Sequence, residues 1–452
     1  ALRAALFAQR HPERVARLAL DAFVWTGEGS PTLAERKKKL PDFIAKNRRP
    51  IDHAFVQSVF NRDHPDTADQ ATVSAFADAI LSFDDSMPTG TYVDMCSRLP
   101  LVNPEKLNVP TIVMRGEHDG IASFDDLIEF YKKLPNNDKQ FTVMAGISHA
   151  MVAEHYALPG QVVVGTDSHT PHSGALGCVA FGVGTTDMAN AFVTGAVRVT
   201  LPECVRVELQ GQLSVGVTAK DLMLHLLATP YIRSGSGVGK VFEFTGTGIA
   251  HLSTDERATL TNMCAELGGL TGIVAPDAET LRFIRERRGV EAVIEDWLHS
   301  DEGASYAQHL TVDLTTLSPM VAKPGDPGRG LALVDLQEHV RIDIAYGGSC
   351  TAGKREDFDH YHAVLAWGMA QGLKVPKGVQ VFLQYGTTAV RDYCITQGYD
   401  KTFAALGVRI LQPSCGACAN CGPGSSTDAA QVTVSAINRN FPGRSGDRKS
   451  VV

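Results

Sequence analysis

The chain has 452 residues, 44% hydrophobic and 20% charged, with a net charge of -8 and nine cysteines. The length gives room for two or three domains with full cores. The acidic balance and the lack of a long basic run argue against a nucleic-acid partner, and no apolar stretch reaches the length of a membrane span. No signal peptide is visible, and the cysteines are mostly scattered, so a reducing cytoplasm is the expected location. The opening, Ala1-Leu2-Arg3-Ala4-Ala5-Leu6, reads as the middle of a helix with no initiating Met, and a lost start is the expectation.

Ala1 to Gln9 reads as helical, and Val15-Ala16-Arg17-Leu18-Ala19-Leu20 reads as a strand. From about Gly27 to Leu99 the chain is polar, helical and irregular. Pro110 to Gly116 is a buried strand ending in Glu117-His118-Asp119-Gly120. Ser123-Phe124-Asp125-Asp126 has capping-box spacing, opening a helix to about Leu134. Gln140 to Ala145 is a further strand, followed by Gly146-Ile147-Ser148-His149. Strand and helix alternate, which implies a parallel α/β sheet.

A strand over Gln161 to Val164 then ends in Gly165-Thr166-Asp167-Ser168-His169-Thr170. An extended backbone here places Asp167 and His169 on one side. An Asp orienting a His is a common acid/base pair, and the same triplet is also a common turn. Gly235-Ser236-Gly237-Val238-Gly239-Lys240 has the wrong spacing for a phosphate loop and reads as a turn. Ser253-Thr254-Asp255-Glu256 caps a helix running to Leu267 and stopping at Gly268-Gly269. Asn262 and Glu266, four apart, share a face of it, and apolar neighbours imply that both are buried and need partners.

Residues from about Thr280 to Arg329 are charged and irregular, with a linker at 323–328. Ile342 to Tyr346 is a strand leading into Gly347-Gly348-Ser349-Cys350-Thr351-Ala352-Gly353, and a helix follows over Asp357 to Gln371. Val379 to Leu383 and Val408 to Leu411 are two more strands with a helix between them. Cys350 and Cys415 therefore lie just past strand C-terminal ends, where ligands gather in open α/β sheets.

Three of the nine cysteines, Cys415, Cys418 and Cys421, fall within seven residues of a Gly/Pro loop. Such a loop can bend thiolates onto one soft metal centre, and a buried or disulfide-prone cluster is the other reading. Last comes Asn438-Arg439-Asn440-Phe441-Pro442-Gly443-Arg444, whose two arginines suit carboxylate clamping or a surface turn.

Two resemblances follow from these motifs. Residues 1 to about 149 resemble the C-terminal half of an α/β-hydrolase: a helix, a cap, then Asp119 and His149 in the order acid before base. No Gly-x-Ser-x-Gly precedes them, so Asp119 and His149 complete no triad, and Asp119 reads equally as a strand-end turn residue. From about Gly146 to Gly446 the chain resembles the aconitase superfamily, nearest to the 3-isopropylmalate dehydratase large subunits. Gly-Thr-Asp-Ser-His-Thr, Asn-Met-x-Ala-Glu, Ser-Cys-Thr, Cys-x-x-Cys and Asn-Arg-Asn-Phe-x-Gly-Arg carry the likeness jointly. The implied fold is α/β: a partial hydrolase sheet over 1–146, then aconitase-type three-layer domains over 147–446. Residues 447–452 look like a non-native tail, and an artificial join across the shared string near His149 is expected.

The dehydratase resemblance implies a hydro-lyase that isomerises a small hydroxy-di- or tricarboxylate through a 4Fe-4S cluster. The matching ligand positions are Cys350, Cys415 and Cys418, with Cys421 outside the set. Three ligands leave one iron open as a Lewis acid, whereas a fourth would close it. By the same resemblance, Asp167 and His169 face the reacting hydroxyl or water, His149 pairs with the Asp167 network, and Asn262 and Glu266 support the cluster side. Asn438, Arg439 and Arg444 would hold the cluster and a substrate carboxylate. A separate small, swivelling subunit is implied as the partner, since its base serine and further arginines have no counterpart here. The family's N-terminal segment is likewise without a counterpart. Hydrolysis of an ester or amide, or an inactive chimera, is the alternative function.

Overall fold

The computed structural model describes residues 2–21, 23–61, 73–74, 77–78, 81–82, 85–116, 122–144, 146–420 and 422–445. Asp119, Cys421 and the 447–452 tail lie outside the described residues. The chain divides into two compact units, Ala1–Ala145 with Ala189–Val197, and Gly146–Met188 with Arg198–Val452. Among the described residues, no helix is long and apolar enough to cross a membrane.

The first unit is built on a parallel sheet whose central strand Thr111–Gly116 is flanked by Leu18–Asp21 and Lys139–Met144. The first strand begins three residues later than the sequence implies. A 3-10 turn over Pro12–Arg14 uses Val15 as its C-terminal cap, so Val15 is spent on ending the turn. Ser123 caps the helix Phe124–Lys132 as expected, accepting from the Asp126 amide. Leu20, Phe23, Val113, Leu127 and Phe130 close the core between helix and sheet.

The second unit carries two four-stranded parallel sheets. One runs Thr271–Val274, Val241–Thr245, Cys204–Gln210, Gln308–Asp313. The other runs Arg409–Leu411, Gln380–Gln384, Ile344–Gly348, Thr433–Ser435. Strand Cys204–Gln210 alternates strictly, with Val205, Val207 and Leu209 buried, so the period of two is satisfied by one buried face. These residues join Leu222, Leu226, Phe242, Phe244, Leu260 and, from the other sheet, Tyr346 and Phe382 in one core. The parallel α/β architecture is that implied by the sequence.

The stretch read as irregular from Thr280 onward contains ordered elements. Asp277 caps a helix over Ala278–Arg288, and Asp277 also receives a bidentate bond from the fully buried Arg257 at 2.7 and 2.8 Å. Many charges within the helix obscured its amphipathic pattern.

Gly146 and Ile147 stitch the helix Ser148–His155 to the second sheet: Gly146 bridges Thr387, and the Ile147 amide donates to Gly386 at 3.0 Å. From that helix Glu154 accepts a 2.7 Å bond from the Thr387 hydroxyl. Burial pushes the Glu154 carboxyl up to about 7, against that hydrogen bond and the Arg287 charge. Between the ordinary carboxyl value of 4.5 and about 7, the folded chain thus binds a proton that the unfolded chain has lost. Stability contributed by Glu154 falls as pH rises through this window. Glu154→Gln keeps the acceptor and removes the charge. It stabilises the protein at pH 8 by roughly 1–3 kcal/mol and changes little at pH 5. Urea unfolding at the two pH values checks this, and equal shifts at both would count against it.

Candidate active site

The second sheet presents Cys350 at the end of strand Ile344–Gly348 through a tight elbow. Gly348 has φ +103, and a Cβ there would lie 2.0 Å from the Gln384 carbonyl oxygen, so only glycine fits. Ser349 follows at φ +77, a costly conformation for a residue with a side chain. The Tyr361 hydroxyl spans the elbow, accepting from the Gly348 amide at 3.1 Å and donating to the Ala352 carbonyl at 3.0 Å. Cys350 is buried, with its Sγ 3.7 Å from the Thr351 hydroxyl.

Cys415 and Cys418 leave strand Arg409–Leu411, next but one in the same sheet, on a loop that turns as a 3-10 segment over Gly416–Ala419. Cys418 is buried and Cys415 exposed. The Ser445 hydroxyl donates to the Ala417 carbonyl at 2.7 Å, and an Arg444 N–H points at Cys418 Sγ from 3.8 Å. Cys418 lies within electrostatic range of both Cys350 and Cys415. Burial and the Cys350 charge push the Cys418 thiol up to about 11, against the pull of Arg444. Burial would also raise Cys350, but His149 and His169 outweigh it and hold its thiol well below the usual range.

The histidine side is densely paired. His169 Nε2 lies 3.0 Å from Glu266 Oε1, and Arg439 Nε donates to the same oxygen at 2.6 Å. A second Arg439 N–H reaches Ser168 Oγ at 3.0 Å. Asn438 Nδ2 lies 2.8 Å from Asn262 Oδ1 and 3.2 Å from His169 Nε2. Thr351 Oγ1 also donates to Asn262 Oδ1, at 2.9 Å. Burial opposes charge on His169, yet the Cys350 thiolate and Glu266 outweigh it and push the imidazole up to about 10. Burial would raise Glu266, but His169, Arg439 and Lys220 keep it below its ordinary value. The set is therefore an imidazolium and a guanidinium clamped on one buried carboxylate.

Asp167 is not in line with His169 on an extended strand. The backbone turns, and the His169 amide donates to Asp167 Oδ1 at 2.6 Å, so a side-chain-closed turn replaces the strand. Asp167 Oδ1 also lies 3.5 Å from His149 Nδ1 and 3.7 Å from His169 Nδ1. The helix carrying Asn262 ends at that residue and tightens to 3-10 over Met263–Ala265. The change of pitch moves Glu266 off the regular helix face, and it nonetheless reaches His169.

Four residues of this network escaped the sequence reading. His172 Nδ1 accepts from Asn262 Nδ2 at 3.1 Å, and its ring centroid lies 5.6 Å from that of His149, the planes tilted by 53°. Burial, with His149, Lys354 and His169 nearby, keeps His172 well below its ordinary value and neutral. Thr351, Tyr361 and Lys220 are the others. Only His172 carried a usable signal, a second histidine three residues beyond His169.

The donor set suits a soft-metal cluster. The Cys350 thiol is held well below its ordinary range, and among the described residues Glu266 Oε2, His149 Nε2 and Arg444 Nε are buried polar atoms with no hydrogen-bond partner. Among the described residues, no group of three His, Cys, Asp or Glu side chains closes on a single ion. A cluster binds each cysteine through a different iron, so it does not need them to converge on one ion position.

Comparison with known proteins places the chain. The model of the Aconitase family (aconitate hydratase) matches residues 68–451. The 3-isopropylmalate dehydratase large subunit of Sulfurimonas denitrificans is 36% identical over 310 residues, 68% of this chain and 71% of that protein. The 3-isopropylmalate dehydratase large subunit 1 of Methanopyrus kandleri is 35% identical over 313 residues, 69% and 72% of the two chains. Mitochondrial homoaconitase of Yarrowia lipolytica is 33% identical over 360 residues, covering 75% of this chain and 51% of its own. With a family match over most of the chain and relatives this similar over most of their length, the chain belongs to the aconitase family of hydro-lyases.

Proposed function

We propose that the chain is the large-subunit type of a two-subunit hydro-lyase, interconverting hydroxy-dicarboxylates such as 2- and 3-isopropylmalate. The observation that carries this reading is the His169–Glu266–Arg439–Asn438 cluster set beside the Cys350 thiolate. Cys350, Cys415 and Cys418 would hold a 4Fe-4S cluster. When bound, that cluster supplies an open iron that acts as a Lewis acid on the substrate hydroxyl.

The protein's own groups supply the rest. A cationic His169, fixed by Glu266, can donate a proton to a departing hydroxide and take it back on rehydration. The Asp167 side chain, 48% exposed, is open to water and substrate, with the buried His149 3.5 Å from its Oδ1. Arg439 and Arg444 place positive charge where a substrate carboxylate would bind. The printed names of the relatives include "large subunit", and a small subunit is proposed as the partner that completes the site.

The test is turnover. The anaerobically reconstituted chain, mixed with the small subunit of a 3-isopropylmalate dehydratase, should convert 2-isopropylmalate and form the unsaturated diacid seen by ultraviolet absorbance. Turnover of another hydroxy-dicarboxylate, with none of isopropylmalate, would move the substrate assignment and keep the hydro-lyase reading. Turnover of none would remove both.

A second reading concerns the first unit alone. Its parallel three-stranded sheet and separate core favour the α/β-hydrolase likeness of residues 1–149 and a join near residue 146. The family match reaches back to residue 68, inside that unit, and favours a common origin for 68–145. Sequencing the source gene across codons 140 to 155 decides between them, and one uninterrupted gene would end the join.

A further inference from the structure

Lys220 has so far entered only as a charge that helps keep Glu266 ionised. It sits in the first turn of the helix Ala219–Ala228, which Thr218 and Asp221 close with a reciprocal capping box. Its ammonium reaches across to a segment more than two hundred residues away, donating to Ala436 O at 3.2 Å, Ile437 O at 2.9 Å and Asn438 Oδ1 at 3.3 Å. An ammonium has three donors and no acceptor, so all three N–H groups are used.

The contact with Asn438 has a consequence for the site. A side-chain amide can sit either way round, and an ammonium can donate only to its oxygen. With Oδ1 turned to Lys220, Nδ2 must face Asn262 Oδ1, its acceptor at 2.8 Å; the cationic His169, whose Nε2–H points at Glu266, is a neighbour at 3.2 Å and not an acceptor. The next residue, Arg439, then falls on Glu266. The same ammonium lies within electrostatic range of Glu266, Cys418 and Cys350, three groups that carry or can carry negative charge.

We propose that Lys220 is a positioning residue: it pins the 436–439 segment, orients the Asn438 amide toward Asn262 beside His169, and places its positive charge near Cys350 and Cys418. The charge part rests on the iron–sulfur reading; the orientation part does not.

Two measurements on Lys220→Met test it. In the protein without iron, hydrogen exchange of peptides covering residues 433–440 should quicken by about tenfold, with exchange elsewhere unchanged. After anaerobic reconstitution with iron and sulfide, the reduction potential should fall, because a nearby positive charge is gone. Lys220→Gln keeps a donor without the charge. It should show the same fall in potential with slower exchange than Lys220→Met, and it carries both measurements if Lys220→Met does not fold. Unchanged exchange at 433–440, or a rise shared by the whole chain, overturns the proposal. If the wild-type chain forms no cluster, the iron–sulfur reading fails, and the exchange result still decides the role of Lys220.

Discussion

Cys350→Ala leaves a chain that folds, takes up no stable brown chromophore with iron and sulfide, and gives no measurable turnover with a small subunit. The loss should exceed the roughly 10- to 100-fold that removing a supporting hydrogen bond around a metal causes. The reason lies in how much structure serves this one sulfur. Gly348 admits no side chain, Ser349 is held at φ +77, and Tyr361 ties both ends of the elbow. Strain of this kind costs on the order of 1–3 kcal/mol and persists only where the surroundings hold it. His149 and His169 then keep the sulfur ionised, the form that binds metal. Alanine is smaller than cysteine and fits the elbow, but it also removes the charge facing His149 and His169, so the metal-free protein should stay folded with a lowered melting temperature. A chromophore of full intensity in Cys350→Ala would remove Cys350 from the ligand set.

Glu266→Gln has the second large effect, and it falls on stability and turnover together. Its carboxylate is 1% exposed and carries both His169 and Arg439 on Oε1. A neutral amide leaves two cations facing each other in a buried place. Breaking one partner of a buried ion pair costs about 3–5 kcal/mol. His169 keeps Cys350 but loses Glu266, the second of the two groups that hold it near 10, so its pKa should fall and its charged fraction should shrink. Loss of a positioned acid typically lowers turnover by about 10²–10⁴-fold. The two effects separate in Glu266→Asp, which keeps the charge but shortens the reach. That variant should regain most of the stability and only part of the turnover. Full turnover in Glu266→Gln would show that the His169–Glu266 pair is a structural contact only.

Much of the fold was legible because parallel strands here are short apolar runs closed by glycine. Thr111–Gly116 and Ile344–Gly348 are of this kind, and each was placed to within two residues. The segments that eluded the sequence are those where side chains replace backbone pattern. Asp167 closes a turn with its own carboxylate, so the extended geometry fails. Helix Ala278–Arg288 mixes charge throughout, so its apolar face, Phe283 and Ile284, is thin.

The candidate site divides in the same way. Its cysteines, His169, Glu266, Asn438 and Arg439 belong to compact motifs, and motif spacing survives in the linear chain. Lys220 and Thr351 act at sequence separations that no local pattern records, and Tyr361 reaches back from its helix to the elbow. The Lys220 contact with Asn438 spans 218 positions. His172 is intermediate, close to its motif in sequence but given meaning only by its bond to Asn262.

Counting iron and sulfide in the anaerobically reconstituted chain, side by side with four cysteine variants, tests the central claim most directly. Wild type and Cys421→Ala should each retain about four irons and four sulfides per chain. Cys350→Ala, Cys415→Ala and Cys418→Ala should each lose them. A wild-type chain that binds no iron, or a Cys421→Ala chain that loses iron while Cys415→Ala keeps it, would contradict the account.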